Sequence, residues 1–170
     1  MDDLKWAIAR QIPHLRRFAM ALTKDRDEAD DVVQDCLERA LRKRQLWRRR
    51  GSLRSWMFSM LYRTHIDHRR RRQRREQPAA ADAIDAVAAQ PANQEHRVEC
   101  RHIGEALDRL PEEQRDVVLL VALEGVAYDE AAEILGLPIG TVRSRLSRGR
   151  QALRDLRAQG GARHSLRRVK

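Results

Sequence analysis

The stretch that most constrains the fold of this chain is Ala127–Leu156, AYDEAAEILGLPIGTVRSRLSRGRQALRDL. It predicts two short helices separated at Gly136-Leu137-Pro138, because proline is favoured at a helix start, where its missing N–H costs nothing. The apolar residues of the second helix recur at helical spacing: Ile139, Val142, Leu146, Leu153 and Leu156. A short helix, a tight turn and a second helix rich in Arg, Ser and Thr are typical of a DNA-reading helix-turn-helix.

A helical wheel of the second helix separates an apolar side from a polar one. Val142, Leu146 and Leu153 share one side, with Gly149 where the helix can approach a neighbour closely. The opposite side presents Thr141, Ser144, Ser147, Arg148 and Gln151, and the flanks carry Arg143, Arg145, Arg150 and Arg154. Central polar side chains suit base edges, and flanking arginines suit phosphates. The alternative is an amphipathic surface helix whose basic face is solvated.

Composition narrows the class of protein. The 170 residues suffice for one domain or two small ones, and an aromatic content of 4% favours small helical bundles packed from aliphatic side chains. The formal net charge of +10 favours a polyanionic partner, either nucleic acid or an acidic membrane surface. No apolar run approaches the ~20 residues of a membrane span. The N-terminus lacks the pattern of a signal peptide, so we expect a cytoplasmic protein.

The sequence offers little for catalysis or metal binding. Cys36 and Cys100 do not make a disulfide scaffold, and Cys36 is expected in the core. His96, Cys100 and His102 lack a clear fourth ligand, which makes ordinary surface and core roles the better interpretation. Phosphate-binding glycine loops, nucleophile elbows and HExxH motifs are missing. We therefore expect neither an enzyme nor a cofactor or metal.

The first quarter of the chain predicts two helices, of which the second has a strongly acidic face. Residues from about 4 to 23 predict a helix, or a helix interrupted near Pro13, and a second helix follows from Asp27 to about Arg44. The second helix has an apolar stripe that includes Cys36 and Leu41, and its other face carries Asp30, Asp31, Gln34, Asp35 and Glu38. That face is either a solvated surface or a protein-docking surface, and composition does not decide between them.

The next segment is strongly basic, with fifteen Arg or Lys and one acid, Asp67, between Arg39 and Arg75. It predicts a loop over 46–52 and a third helix from Leu53 to about Arg72. The expected inner stripe is Leu53, Trp56, Met57, Met60 and Leu61, whereas Tyr62, Arg63, Ile66, Arg69 and Arg70 are expected to face outward. Trp47 and Tyr62, with arginines such as Arg49 and Arg54, suit single-stranded DNA, on whose bases aromatic rings stack. The alternative for the Arg69–Arg75 run is a solvated end or a localisation-like basic patch.

The remaining segments complete an all-α prediction of two small helical bundles joined by a flexible linker. Residues 1–76 form the first bundle, and the Ala- and Pro-containing stretch 77–95 forms the linker. The second bundle, 96–159, has a helix ended by Pro111, a helix Glu112–Glu124 stopped by Gly125, and the helix-turn-helix. A basic tail, 160–170, is expected to be disordered.

Four stretches in order resemble the extracytoplasmic-function group of bacterial RNA polymerase sigma factors. DEADDVVQDCLERAL at Asp27–Leu41 resembles the family's polymerase-docking helix, and WMFSMLYRTHIDHRR at Trp56–Arg70 its −10 element helix. LPEEQRDVVLLVALEG at Leu110–Gly125 resembles the segment leading to the −35 reader, and PIGTVRSRLSRGRQAL at Pro138–Leu153 is similar to the −35 recognition helix. The resemblance leaves only the linker and the two ends uncovered.

The resemblance implies a function without catalysis: binding core RNA polymerase, through its beta-prime and beta subunits, and directing it to promoters. Three sets of residues would make these contacts. The set that docks on polymerase is Asp30, Asp31, Gln34, Asp35 and Glu38, and the set that holds the melted −10 element is Trp47, Arg49, Arg54, Tyr62, Arg63, Arg69 and Arg70. The set that contacts the −35 duplex is Thr141, Arg143, Ser144, Arg145, Ser147 and Arg148. It also implies an inhibitory anti-sigma partner, and a linker that permits different domain positions.

Three positions depart from the family's usual pattern. Arg63 stands where Asn is common in the −10 helix, Ala127 where Ser or Thr often caps the first reader helix, and Ser147 offers a small side chain for contact with a thymine methyl. Two other functions remain as alternatives. One is a stand-alone regulator that binds duplex DNA through the helix-turn-helix, and the other is a basic scaffold or RNA-binding protein.

Overall fold

The computed structural model describes residues 2–43, 47, 52–75 and 103–166, and the secondary structure within these ranges is helical, without strands. The N-terminal domain contains α1 (Asp2–Ala9), α2 (Ile12–Thr23), α3 (Arg26–Arg42) and α4 (Leu53–Arg75). The C-terminal domain contains α5 (103–108), α6 (Glu112–Val118) with a π-helical continuation (Leu119–Leu123), α7 (Tyr128–Leu135) and α8 (Ile139–Leu166). The predicted all-α class with two helical domains is confirmed. The predicted linker and residues 96–102 lie outside the described residues.

The boundaries of the first helices are explained by their end residues. Of the two alternatives for residues 4–23, the helix interrupted near Pro13 is confirmed: α1 ends at Ala9 and α2 begins at Ile12, with Pro13 in the first turn of α2, where no hydrogen bond is lost. Lys24 ends α2 in the left-handed conformation with φ 61°, and its N–H donates to Met20. The Asp25 side chain then accepts a hydrogen bond from the Glu28 N–H at 2.8 Å, which caps α3.

The core of the N-terminal domain forms where α2, α3 and α4 meet. Phe18 of α2 and Phe58 of α4 are fully buried, with ring centroids 5.3 Å apart. The predicted inner stripe of α4 packs against the core, with Met57 and Leu61 buried and Leu53, Trp56 and Met60 partly buried. The prediction missed Phe58, Thr64 and His65, which are also buried. The physical reason is that α4 packs against α2 and α3 on one side and against α7 on another, so its buried surface is wider than one stripe.

Two further expectations about exposure differ from the structure. Leu41, expected on the apolar stripe of α3, is 40% exposed, because it lies in the last turn of α3. Ile139, one of the apolar residues at helical spacing in the recognition helix, is 41% exposed at the first residue of α8. Both residues lie at helix ends.

The C-terminal domain has the helix-turn-helix that the sequence predicted. Gly125, with φ 65°, follows the π-helical turn, which closes with the Glu124 N–H donating to the Leu119 carbonyl. Gly136, with φ 66°, ends α7 in the left-handed conformation that glycine adopts without strain. Helix α8 starts at Ile139, directly after Pro138, and its Val142 and Leu146 side chains are buried.

Helix α8 is longer than expected. It continues to Leu166, so the prediction of disorder from Gly160 is wrong for residues 160–166. Extending an existing helix is far easier than starting one, because the costly nucleus is already formed, so α8 continues through two glycines although each weakens a helix interior by ~1 kcal/mol relative to alanine.

The two domains pack directly against each other. Helix α4 contacts α7, and α2 contacts the π-helical turn. Lys24 at the end of α2 forms an ion pair with Asp108 of α5, with Nζ and Oδ1 2.6 Å apart. The face of α4 opposite the N-terminal core is therefore an interdomain surface.

Candidate nucleic-acid interface

The outer face of α8 presents a compact polar surface. Arg143, Ser144, Ser147 and Arg148 are exposed, on the side opposite the buried Val142 and Leu146. Thr141 is half-buried, and its carbonyl accepts a hydrogen bond from the Ser144 hydroxyl at 3.0 Å. A face of small hydroxyl side chains between guanidinium groups matches the donors and acceptors that read base edges in a major groove.

A basic groove runs beside this face, between α8 and the start of α7. Its lining residues are Tyr128, Arg143, Leu146, Ser147, Arg150 and Arg154. Arg143, Arg150 and Arg154 recur at helical spacing, and Tyr128 is the first residue of α7. A groove with three guanidinium groups favours a polyanion such as a phosphate backbone. Tyr128 was missed from the sequence, because its proximity to α8 depends on how the two helices cross.

Arg145 differs from the other arginines of α8. Its guanidinium forms an ion pair with Glu113 of α6 at 2.7 Å, and its side chain is 24% exposed. It therefore ties α8 to α6 in this structure, away from the exposed face that carries Ser144 and Arg148.

The acidic face of α3 is partly engaged with neighbouring basic side chains. Asp30 lies 3.5 Å from Arg16 and Asp35 lies 2.8 Å from His68 of α4, while Glu38 pairs with Arg42 at 3.0 Å and accepts from Gln34 at 3.4 Å. Asp31 is exposed. These are mostly exposed ion pairs of small net energy, so their carboxylates stay available to exchange partners.

The structure divides the expected −10 contacts into two groups. Arg63 and Arg70 are exposed to solvent. Arg54, Tyr62 and Arg69 instead face the C-terminal domain, where they contact Glu124, Asp116 and Glu112 in that order. The expectation that Tyr62 and Arg69 point outward is therefore wrong, because α4 is covered by α6 and α7. Trp47 is half-buried, and Arg49 lies outside the described residues.

Glu124 is the centre of the interdomain contact. Its side chain is 0% exposed and accepts hydrogen bonds from Arg17 Nε at 2.7 Å and from an Arg54 terminal nitrogen at 3.0 Å. His14 Nδ1 lies 3.3 Å from the same carboxylate. The Glu124 hydrogen bond raises the pKa of Arg17. Sequence patterns gave no sign of this cluster, because Glu124 lies far along the chain from each of its partners.

A second polar cluster joins α4 to α6. The Tyr62 hydroxyl donates to Asp116 at 2.9 Å, and burial raises the pKa of both groups. Nearby, burial lowers the pKa of His65 to about 4, assisted by the positive charges of Arg69 and Arg115. His65 is thus a neutral side chain at physiological pH, surrounded by cations.

Neither a metal-ligand cluster nor a membrane-spanning helix is present among the described residues. Among the residues described, no group of three or more His, Cys, Asp or Glu side chains could hold a metal ion. His96, Cys100 and His102 lie outside that part of the chain. None of the described helices combines the length and apolar character needed to cross a membrane.

Comparison with known protein families gives two matches. Residues 8–62 match the sigma2 domain of PhyR, and residues 101–153 match sigma-70 region 4. The first match contains α2, α3 and the first part of α4, and the second contains the helix-turn-helix.

Two relatives match most of the chain. The ECF RNA polymerase sigma factor EcfG of Rhodopseudomonas palustris is 35% identical over 164 residues, which span 95% of this chain and 88% of that protein. The ECF RNA polymerase sigma factor SigE of Mycolicibacterium smegmatis is a longer protein. It is 35% identical over 147 residues, 84% of this chain and 57% of that protein.

Among solved structures, the sigma factor RpoE of Bartonella quintana, crystallised with the anti-sigma factor NepR, is similar throughout. It superposes with a TM-score of 0.81 at 34% identity, covering 92% of this chain and 97% of that one.

Proposed function

The chain belongs to the extracytoplasmic-function group of RNA polymerase sigma factors, and from that premise we propose how its two domains divide promoter recognition. The N-terminal domain docks on core RNA polymerase and holds the melted −10 element. The C-terminal domain reads the −35 duplex. The observation that carries this proposal is the exposed face of Arg143, Ser144, Ser147 and Arg148 on the second helix of a helix-turn-helix.

The −35 duplex is read by α8 in its major groove. Ser144, Ser147 and Arg148 face the base edges, with Thr141 and Arg143 beside them. Arg150, Arg154 and Tyr128 line the adjoining groove and hold the phosphate backbone, which gives affinity without sequence preference. Arg145 positions α8 through its ion pair with Glu113.

Polymerase docking is assigned to the acidic face of α3. Asp30, Asp31, Gln34, Asp35 and Glu38 lie on one helix, and their present partners are intrachain ion pairs near the surface. A basic polymerase surface, on the beta-prime subunit, would replace those partners. The beta subunit is the second expected contact within the core enzyme.

The −10 single strand is assigned to α4 and the loop before it. Arg63 and Arg70 are exposed and supply phosphate contacts. Arg54, Tyr62 and Arg69 complete the set once they are released from the C-terminal domain, with Trp47 and Arg49 contributed by the loop.

An inhibitory protein partner is suggested by the relatives. The RpoE structure that this chain matches at 34% identity is a complex with the anti-sigma factor NepR. We infer that this chain is likewise held inactive by an anti-sigma factor, and that it works in the cytoplasm as a specificity subunit without catalysis of its own.

Promoter-directed transcription tests the proposal. The purified chain is added to core polymerase and a genomic fragment library, and run-off transcripts are sequenced. We expect transcripts that start downstream of a shared pair of −35 and −10 sequences and that are absent with core enzyme alone. Equal transcript patterns with and without the chain would contradict the proposal. Specific duplex binding without co-elution with core polymerase would instead favour the stand-alone regulator.

A further inference from the structure

The groove between α7 and α8 has a shape that contact with a phosphate backbone does not explain. It encloses about 270 Å³, and its lining includes Tyr128 of α7 and the buried Leu146 of α8. That volume equals about nine water molecules of the liquid, which is more than one phosphate group fills. A phosphate oxygen uses only the hydroxyl of Tyr128. The aromatic ring and the recess beside it are therefore left without a role.

The groove is positively charged and has no compensating acid. Within the described part of the chain, its lining contains three guanidinium groups and no carboxylate. Arg143 and Arg150 are exposed and form no ion pair with any residue that the structure describes. Arg154 donates to the neutral side-chain oxygen of Gln151 at 2.6 Å, so its charge is not compensated there either. Three such groups favour a ligand that carries several negative charges.

The arginines are spaced along α8 in a way that suits a chain of phosphates. Arg150 and Arg154 are one helical turn apart, about 6 Å along the helix axis. Arg143 lies two turns before Arg150, about 10 Å in the other direction. Neighbouring guanidinium groups at this spacing can each bind a different phosphate group of one ligand.

Tyr128 supplies a surface on which a free base can stack. Its side chain is 37% exposed, and it lines the groove from the first residue of α7. Aromatic rings stack on nucleic-acid bases with little regard to base identity, because every base has a π-face. The bases of a duplex are stacked on one another, whereas a nucleotide in solution offers an unstacked base. The groove therefore matches a base joined to several phosphates better than either part alone.

We propose that this groove binds a free nucleoside polyphosphate, with the base against Tyr128 and the phosphates on the arginines of α8. A bound nucleotide excludes duplex DNA, because Arg143 and Ser147 belong both to the groove lining and to the exposed reading face. The concentration of free nucleotide thereby sets how much of the protein can read a duplex. The competition rests on the proposed reading of the −35 duplex by α8, whereas the nucleotide site itself does not.

Four full-length variants separate the charge of the groove from its aromatic wall. Arg150→Gln removes one guanidinium group, and its matched control is Arg157→Gln, the same change at an exposed residue of α8 that does not line the groove. Tyr128→Leu removes the ring, whereas Tyr128→Phe keeps the ring and removes only the hydroxyl. Circular dichroism shows whether each variant retains its helices.

Isothermal titration calorimetry measures the binding of ATP, tripolyphosphate and adenosine, at constant ionic strength and without magnesium. We expect one ATP site per chain, with ATP bound about tenfold more tightly than tripolyphosphate, because only ATP has a base to stack. Adenosine, which lacks the phosphates, is expected to bind more weakly still. R150Q and Y128L should each weaken ATP binding about tenfold, whereas R157Q and Y128F should keep the wild-type affinity.

Fluorescence anisotropy measures the competition, with a labelled duplex that the chain has selected from a random pool. At a free ATP concentration ten times its Kd, the apparent Kd of wild type for the duplex is expected to rise about tenfold. Tripolyphosphate at the same concentration and ionic strength controls for charge alone, and it should raise that Kd less.

Four results would overturn the inference. ATP fails to bind at millimolar concentration, or R150Q and R157Q weaken it equally, which would make the attraction diffuse. Tripolyphosphate binds as tightly as ATP and Y128L has no effect, which would make the groove a polyanion surface only. ATP binds as expected but leaves duplex affinity unchanged, which would remove the competition. If ATP binds and competes as expected but the chain does not direct core polymerase to promoters, the inference stands and the proposed function fails.

Discussion

Gly149 of α8 lies directly against Val118 of α6. A Cβ atom at position 149 would come within 2.7 Å of Val118 Cγ2 and within 3.5 Å of the Gln114 backbone and side chain. The close approach predicted at Gly149 from the helical wheel is thus confirmed. It sets the distance between the reading helix and the helix that supports it.

Gly149→Ala is expected to destabilise the C-terminal domain by about 1–3 kcal/mol, the usual effect of overpacking. Val118 is itself buried, at 5% exposure, and has little room to move away. Urea unfolding followed by circular dichroism measures the loss.

Gly140→Ala is the matched control in the same helix. No described atom lies within 4 Å of a Cβ built at Gly140. Alanine there is expected to be neutral or to stabilise by about 0.4–1 kcal/mol, because it restricts the unfolded chain. Equal losses for the two variants would show that the contact with Val118 does not limit packing.

Ala127→Ser is expected to stabilise the helix-turn-helix. Ala127 has the extended backbone of an N-cap residue, with φ −65° and ψ 155°, and within the described residues no side chain caps α7. A serine oxygen would accept a hydrogen bond from a first-turn N–H and add about 1 kcal/mol. For a chain of this size the gain corresponds to a rise in melting temperature of about 2–4 °C.

Ala127→Val is the control for that substitution, because valine adds atoms but no acceptor. We expect no gain in melting temperature from valine. If the serine variant has the same melting temperature as the wild type, the first-turn N–H groups of α7 are already satisfied by water.

His65 is expected to make folding stability depend on pH. Burial lowers its folded pKa to about 4, whereas the unfolded chain has the ordinary value of about 6.5. Between these values the unfolded chain binds more protons, so stability is complete above about pH 6.5 and falls as pH is lowered towards 4. The shift corresponds to a loss of roughly 3 kcal/mol.

Urea unfolding of wild type and His65→Gln between neutral and mildly acidic pH isolates the contribution of this residue to the pH dependence of the unfolding free energy. Asp116, whose pKa is raised by burial, contributes in the opposite direction, but it is common to both chains. We expect a shallower fall in unfolding free energy for H65Q. Parallel curves would contradict the burial of a neutral imidazole at this site.

Arg148→Ala and Arg154→Ala are expected to weaken duplex binding in different ways. A duplex selected by the chain from a random pool supplies the probe. Loss of Arg148 should reduce its affinity by about 1–3 kcal/mol and relax the preference at one base pair. Loss of Arg154, in the groove with Tyr128, should weaken all sequences alike and reduce the salt dependence. A uniform loss for Arg148→Ala would reassign it to the phosphate backbone.

The sequence predicted the features that depend on neighbouring residues along the chain. Helix periodicity, Pro138 at a helix start and Gly136 at a helix end were sufficient for the helix-turn-helix and for the exposed face of Ser144, Ser147 and Arg148. The same local rules placed Cys36 in the core. These predictions succeed because a helix presents residues three and four apart on one face whatever surrounds it.

Only the tertiary structure decided what the second side of α4 touches. A helical wheel assigns one buried face to a helix, but α4 packs against its own domain on one side and against the C-terminal domain on another. Tyr62 and Arg69, which were expected to face solvent, therefore make interdomain contacts. Glu124 offers no local signal, because its partners Arg17 and Arg54 lie far away in sequence. Burial of a charge depends on which distant groups surround it, and that is fixed by the packing of the two domains and not by helix periodicity.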